Sequence, residues 1–108
     1  MNWEVKFTDR ARRDLRNILE YIAHELKEPE IAVALIRTIT NEILSLNQMP
    51  LRYGVYSEEP WKSQGLRWFP IKKYFVFYYA NESENTVYVV RVFYGEQDIS
   101  HQLNELSN

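Results

Sequence analysis

"YFVFYYANESENTVYVVRVFYGEQD", residues 74–98, decides the fold. Seven residues, 74–80, are apolar or aromatic on both faces, as in a central strand. "NESEN" (81–85) is polar and turn-forming. "TVYVVRVFY" (86–94) is rich in β-branched and aromatic residues, so the stretch predicts a β-hairpin. Upstream, "LRWFPI" (66–71) reads as a third strand, with Pro70 placing it at an edge.

The first half has a different period. "WEVKF" (3–7) alternates and predicts a short strand. Thr8 and Asp9 then offer a cap and a first-turn acid. Ala11, Leu15, Ile18, Ile22 and Leu26 form a helical stripe over residues 9–26. Arg10, Arg12, Arg13 and Arg16, with Asp9, Asp14 and Glu20 nearby, read as its solvated face or a docking surface. Pro29 suits the first turn of a second helix, with Ala32, Leu35, Ile36, Ile39, Ile43 and Leu46 as its stripe, and Pro50 ends it. The short link between these helices implies an antiparallel pair. The reading is α+β, in the order β-α-α-β-β-β: a helical hairpin packed on a small antiparallel sheet. A short helix follows Asp98, with Ile99 and Leu103 as its apolar residues. All 108 residues read as one domain.

Composition excludes several chemistries. The chain has no cysteine, so disulfides, thiol nucleophiles and thiolate metal sites are impossible. His24 and His101 lack metal-ligand spacing, and three glycines leave no phosphate loop. No metal or cofactor is expected. No apolar run could span a bilayer and no secretory leader pattern opens the chain, so a cytoplasmic protein without a membrane partner is expected. Net charge is −2, yet residues 52–73 carry net +3. Such asymmetry orients a protein on a charged partner. The basic and aromatic constellation is Arg52, Tyr53, Trp61, Lys62, Arg67, Trp68, Lys72, Lys73, Arg91 and Tyr94. Arg91 has an alternative reading as half of a structural ion pair, and Tyr94 as packing at a strand end.

"FTDRARRDLRNILEYIAHEL" (7–26), "PEIAVALIRTITNEILSLNQMP" (29–50), "GLRWFPIKKYFVFYY" (65–79) and "VYVVRVFYGEQDI" (87–99) together resemble the ParE/RelE toxin superfamily of type II toxin–antitoxin systems. The order of elements and the "A-x-x-DL-x-x-I-x-x-YI" helix carry the likeness. It implies a cognate antitoxin as partner and one of two activities. RelE-like members cut mRNA on the ribosome, using basic side chains to polarise the scissile phosphate. ParE-like members bind DNA gyrase, which requires an interface rather than a catalytic constellation. Where RelE-like members carry an arginine in the third strand, this chain has Phe75, and past Gly95 it has Glu96 and Gln97 instead of a second arginine. The "GRRD" ending of many ParE relatives is also replaced, by Gly95-Glu96-Gln97-Asp98.

The ParE branch is therefore favoured, as a growth inhibitor directed at gyrase, with no enzyme activity of its own. The alternative is a metal-independent mRNA endoribonuclease acting with the ribosome through Arg67, Lys72, Lys73, Arg91 and Tyr94. A third reading is a non-toxic relative that only binds its partner. Arg52, Trp61, Phe75, Phe77 and Tyr79 are the expected partner-binding residues. The last three share one face of the third strand, and if the helices cover the opposite face these rings need something else to exclude water.

Overall fold

The computed structural model describes residues 2–95 and 98–105. The elements follow the order β1 (Glu4–Phe7), α1 (Asp9–Glu20), α2 (Pro29–Leu44), α3 (Trp61–Gln64), β2 (Arg67–Ile71), β3 (Tyr74–Asn81), β4 (Thr86–Tyr94) and α4 (Ile99–Asn104). Thr8 caps α1 by accepting a hydrogen bond from the Ala11 N–H at 3.1 Å. Its hydroxyl also donates to the Val89 carbonyl, which ties the helix start to β4. One wider turn, Tyr21–Glu25, extends α1 before the chain reverses at Lys27, whose φ of 55° is left-handed. Pro29 then opens α2 in the first turn, where its missing N–H costs nothing.

The sheet order is β1-β4-β3-β2. The three strands of the second half pair antiparallel, as expected, but β1 joins the edge of β4 in parallel, so the sheet is mixed. Antiparallel neighbours can be joined by a tight turn, whereas a parallel pair needs a long crossover. Here the helical hairpin, β2 and β3 all intervene between β1 and β4, and the pairing begins with Glu4 opposite Thr86.

The helices cover one sheet face. Ala11, Ile39, Ile43 and Leu46 pack there against Phe69, Ile71, Val76, Tyr78, Val87, Val89 and Val92. Val89 and Val92 are three apart, which strict strand alternation forbids. A bulge resolves this: Phe77 pairs with Arg91 while Tyr78 pairs with Val89, so β4 carries one extra residue and its alternation slips.

The opposite face is covered by the chain itself. Trp61, Leu66, Phe77, Phe93 and Leu103 form a second core, flanked by Tyr56, Trp68, Phe75, Tyr79, Val90 and Ile99. This corrects the expectation that the rings of β3 await an outside partner. Phe77 is 0% exposed and Trp61 4%, because α3 and α4 close over them. Phe75 and Tyr79 remain partly open at the border.

Tyr78 is the polar exception in the first core. Its hydroxyl donates to the Pro50 carbonyl at 2.6 Å. Burial, acting first, pushes the phenol up to about 12. A raised pKa means that the neutral native form is favoured. Its contribution is complete below pH 10.0, the ordinary tyrosine value, and is lost as pH rises toward about 12. Tyr78→Phe is expected to cost about 1–2 kcal/mol by orphaning the Pro50 carbonyl. It should also flatten the alkaline loss of stability, as read by urea unfolding between pH 9 and 12.

Candidate functional site

The structure separates the basic residues that the sequence groups together. Arg91 is 2% exposed. Its Nε donates to Asp14 Oδ2 at 2.8 Å and its Nη2 to Asp14 Oδ1 at 3.3 Å, a bidentate clamp across β4 and α1. Nη1 donates to the Gln102 carbonyl at 2.6 Å and Nη2 to Gln102 Oε1 at 3.1 Å, so the same guanidinium also holds α4. Asp14, 6% exposed, accepts in addition from the Val92 N–H at 2.9 Å. Arg91 is therefore half of a structural ion pair and has no free face toward a phosphate. Asp14, read from sequence as part of a solvated face, is its buried partner.

A second clasp lies at the rim of α4. Arg10 pairs with Glu105, and their hydrogen bond holds the Glu105 carboxyl below its ordinary value. A depressed carboxyl stabilises above its unfolded pKa and loses that contribution as pH falls through the folded one. Acid therefore loosens this rim contact.

Arg67 and Arg52 are also committed. Arg67 Nη1 donates to the Tyr53 carbonyl at 2.6 Å and to that of Leu51 at 3.3 Å. Arg52 donates to the Gln48 carbonyl at 2.7 Å and to Ser45 Oγ at 2.8 Å, and lies over the Tyr53 ring. Both arginines satisfy backbone carbonyls left over where α2 unwinds toward β2.

Lys72 and Lys73 differ. They form the β2–β3 turn, with Lys72 left-handed at φ 54°, and the Lys73 carbonyl accepts from the Gly95 N–H at 2.8 Å. Neither has an ion pair or side-chain hydrogen bond among the described residues. They rim a groove of about 440 Å³ lined by Ile31, Ala34, Leu35, Thr38, Tyr74 and Tyr94. Tyr74 and Tyr94 meet edge to face, with centroids 5.7 Å apart. Burial, then the neighbouring Tyr94 and Tyr21, raise the Tyr74 phenol.

Of the five sequence candidates for RNA cleavage, the structure thus brings together Lys72, Lys73 and Tyr94. Arg67 lies at the other end of β2, about 13 Å along the strand, and Arg91 is consumed by Asp14. Sequence reading missed the contribution of α2 to this groove. Tyr74 was legible only as strand, although its register partner is Tyr94.

Phe75 packs on Trp68 with centroids 5.0 Å apart. A Cβ placed on Gly95 would lie 2.8 Å from the Phe75 ring, so the glycine leaves space for it. Tyr79 donates to Gln64 Oε1 at 2.8 Å, fastening β3 to α3. Glu96 and Gln97 lie outside the described residues. Among the described residues no group of three or more His, Cys, Asp or Glu side chains could hold a metal ion, and no helix is long and apolar enough to cross a membrane.

This fold is similar to those of solved proteins of toxin–antitoxin systems. The chain resembles the chromosomal ParDE system of Pseudomonas aeruginosa at 22% identity and a TM-score of 0.73, covering 87% of this chain and 97% of that one. It resembles the RelBE2 toxin–antitoxin complex of Mycobacterium tuberculosis at 24% identity and 0.61, covering 87% and 92%. It also resembles a mutant of the Escherichia coli toxin RelE in the free state, at 12% identity and 0.63, covering 94% and 93%. No curated protein sequence matches. The family model for the ParE toxin of the type II toxin–antitoxin system parDE matches residues 5–99, and the chain belongs to that family.

Proposed function

We propose that this toxin arrests growth by binding DNA gyrase, and that a cognate antitoxin neutralises it by occupying its surface. The observation that carries this reading is the commitment of the arginines in its basic and aromatic constellation. Arg52 and Arg67 are spent on backbone carbonyls and Arg91 on Asp14, while a packed Phe75 stands in the third strand. A cleaving mechanism of the RelE kind depends on positive groups placed where phosphate charge develops. Loss of one such donor costs roughly 3–4 kcal/mol of transition-state stabilisation. A binding toxin needs only a stable, shaped surface, which the two cores provide.

Purified protein added to gyrase and relaxed plasmid is expected to block supercoiling, with the block relieved by the antitoxin encoded beside it. Unimpaired supercoiling at tenfold molar excess over gyrase would remove gyrase as the target. One observation favours the endoribonuclease as a second reading: Lys72, Lys73, Tyr74 and Tyr94 line one groove. Lysines and tyrosines alone could move protons and neutralise charge there. Absence of both activities, with antitoxin binding retained, would leave the non-toxic binder.

A further inference from the structure

β1 ends the sheet on one side, since the strand order is β1-β4-β3-β2. The Glu4 N–H donates to the Asn85 carbonyl and the Thr8 N–H to that of Val89, so even-numbered residues turn their backbone toward β4. Trp3, Val5 and Phe7 therefore turn theirs away from the sheet. The Trp3 N–H donates to the Asn47 carbonyl at 2.7 Å. Among the described residues no backbone hydrogen bond takes the outward groups of Val5 or Phe7. Such an edge is a template for another strand, and a lysine on it ordinarily guards against pairing. Lys6 is exposed on β1, but so is Glu4, two residues away on the same face. Neither has an ion pair among the described residues.

Trp3-Glu4-Val5-Lys6-Phe7 runs apolar, acid, apolar, base, apolar, and is self-complementary about Val5. In an antiparallel pair centred there, Glu4 faces Lys6 of a second copy, Lys6 faces its Glu4, and Val5 faces Val5. A two-residue shift sets Lys6 on Lys6 or Glu4 on Glu4, and like charges directly opposite are unfavourable. A one-residue shift sets an outward backbone against an inward one and loses the ladder. Charge thus selects one register and one occupant. We propose that two copies of this chain join through their β1 edges about a two-fold axis, making one eight-stranded sheet. The two Val5 residues exchange N–H···O=C bonds, and Asn47, holding the Trp3 N–H, ends the ladder. Beside it lies a groove of about 360 Å³ lined by Trp3, Met49, Pro50, Leu51 and Arg52. Met49 is 75% exposed and left-handed at φ 49°, and Arg52 Nη1 holds its carbonyl at 3.2 Å. In an isologous contact both copies bring this apolar surface to the same junction. β1 is the edge opposite β2, so the pairing leaves the β2–β3 turn clear.

The test is sedimentation of the full chain without its antitoxin. So short a ladder buries less than the roughly 1,600 Å² of a standard interface, and dimers should dominate at about 100 µM. Glu4→Lys and Lys6→Glu each set two like-charge pairs across the junction. Each should weaken self-association at least about tenfold. Both sites are exposed, so melting temperatures near that of the wild type are expected. The two variants complement one another, so an equimolar mixture should dimerise as the wild type does. The difference between wild type and single variants should shrink as salt rises from about 0.1 to 0.5 M, because exposed charges are screened. Amide exchange at Val5 should slow with concentration in the wild type, a reading that needs no variant. A wild-type chain still monomeric at about 1 mM overturns the proposal. A dimer that both variants retain places the contact elsewhere and overturns it too, as does a mixture that stays monomeric. Slow exchange at Val5 only on adding the antitoxin, with the toxin alone monomeric, assigns the edge to that partner and also overturns it.

Discussion

Asp14→Ala is expected to destabilise the domain by about 3–5 kcal/mol, the cost of leaving a buried charge without its partner. Arg91 would lose both carboxylate oxygens, and the Val92 N–H would lose its acceptor. Small domains are stable by only about 5–15 kcal/mol, so much of the variant should be unfolded at 37 °C. The effect belongs to the unpaired charge and not to the pair as such. Asp14→Leu combined with Arg91→Met should therefore recover most of the loss, since apolar replacement of a buried pair is often neutral. Urea denaturation of the three proteins checks this. Equal destabilisation in the single and double variants would show that Arg91 matters mainly for holding Gln102 and α4.

Phe77→Ala is expected to cost about 3–5 kcal/mol, as for other fully buried aromatics. Phe77 stacks on Phe93 with centroids 5.2 Å apart and meets Tyr56 edge to face at 5.7 Å. Removing the ring leaves a cavity beneath α3 and α4 that rigid strands cannot close. Were this face instead open in solution, the same change would remove an exposed ring and cost well under 1 kcal/mol. Calorimetry of the isolated toxin distinguishes the two. A melting temperature unchanged by Phe77→Ala would mean that the second core does not exist in the free protein.

Much of this architecture was legible because the signals are local. Thr8 before a helical stripe, Pro29 at the start of another and "NESEN" between two apolar runs each act through nearby backbone. The parallel pairing of β1 was not legible, since a four-residue strand says nothing about a partner more than eighty residues away. Nor was the bulge opposite Phe77 and Tyr78, which no glycine or proline announces. That bulge brings Val89 and Val92 to the helical face on either side of Arg91. Arg91 could be read as a structural ion-pair residue, but its partner could not be chosen. Asp14 stands among arginines in "DRARRDLR" and looks solvated by pattern alone. The short helix after Asp98 was legible and is α4, but the cover it makes was missed, because α3 has four residues, too few to show a period, and nothing local says which sheet face α4 closes. The groove needed three-dimensional information, since it joins one face of α2 to a turn some forty residues later.

The central claim is that the arginines which could serve RNA cleavage, Arg67 and Arg91, are instead tied into the fold. Primer extension on mRNA recovered from a translation extract, with and without the purified toxin, tests it most directly. Intact messages at toxin concentrations that block gyrase are the result expected. Discrete cuts within codons, lost on Tyr94→Phe or on reversal of Lys72 and Lys73 in a folded protein, would contradict it.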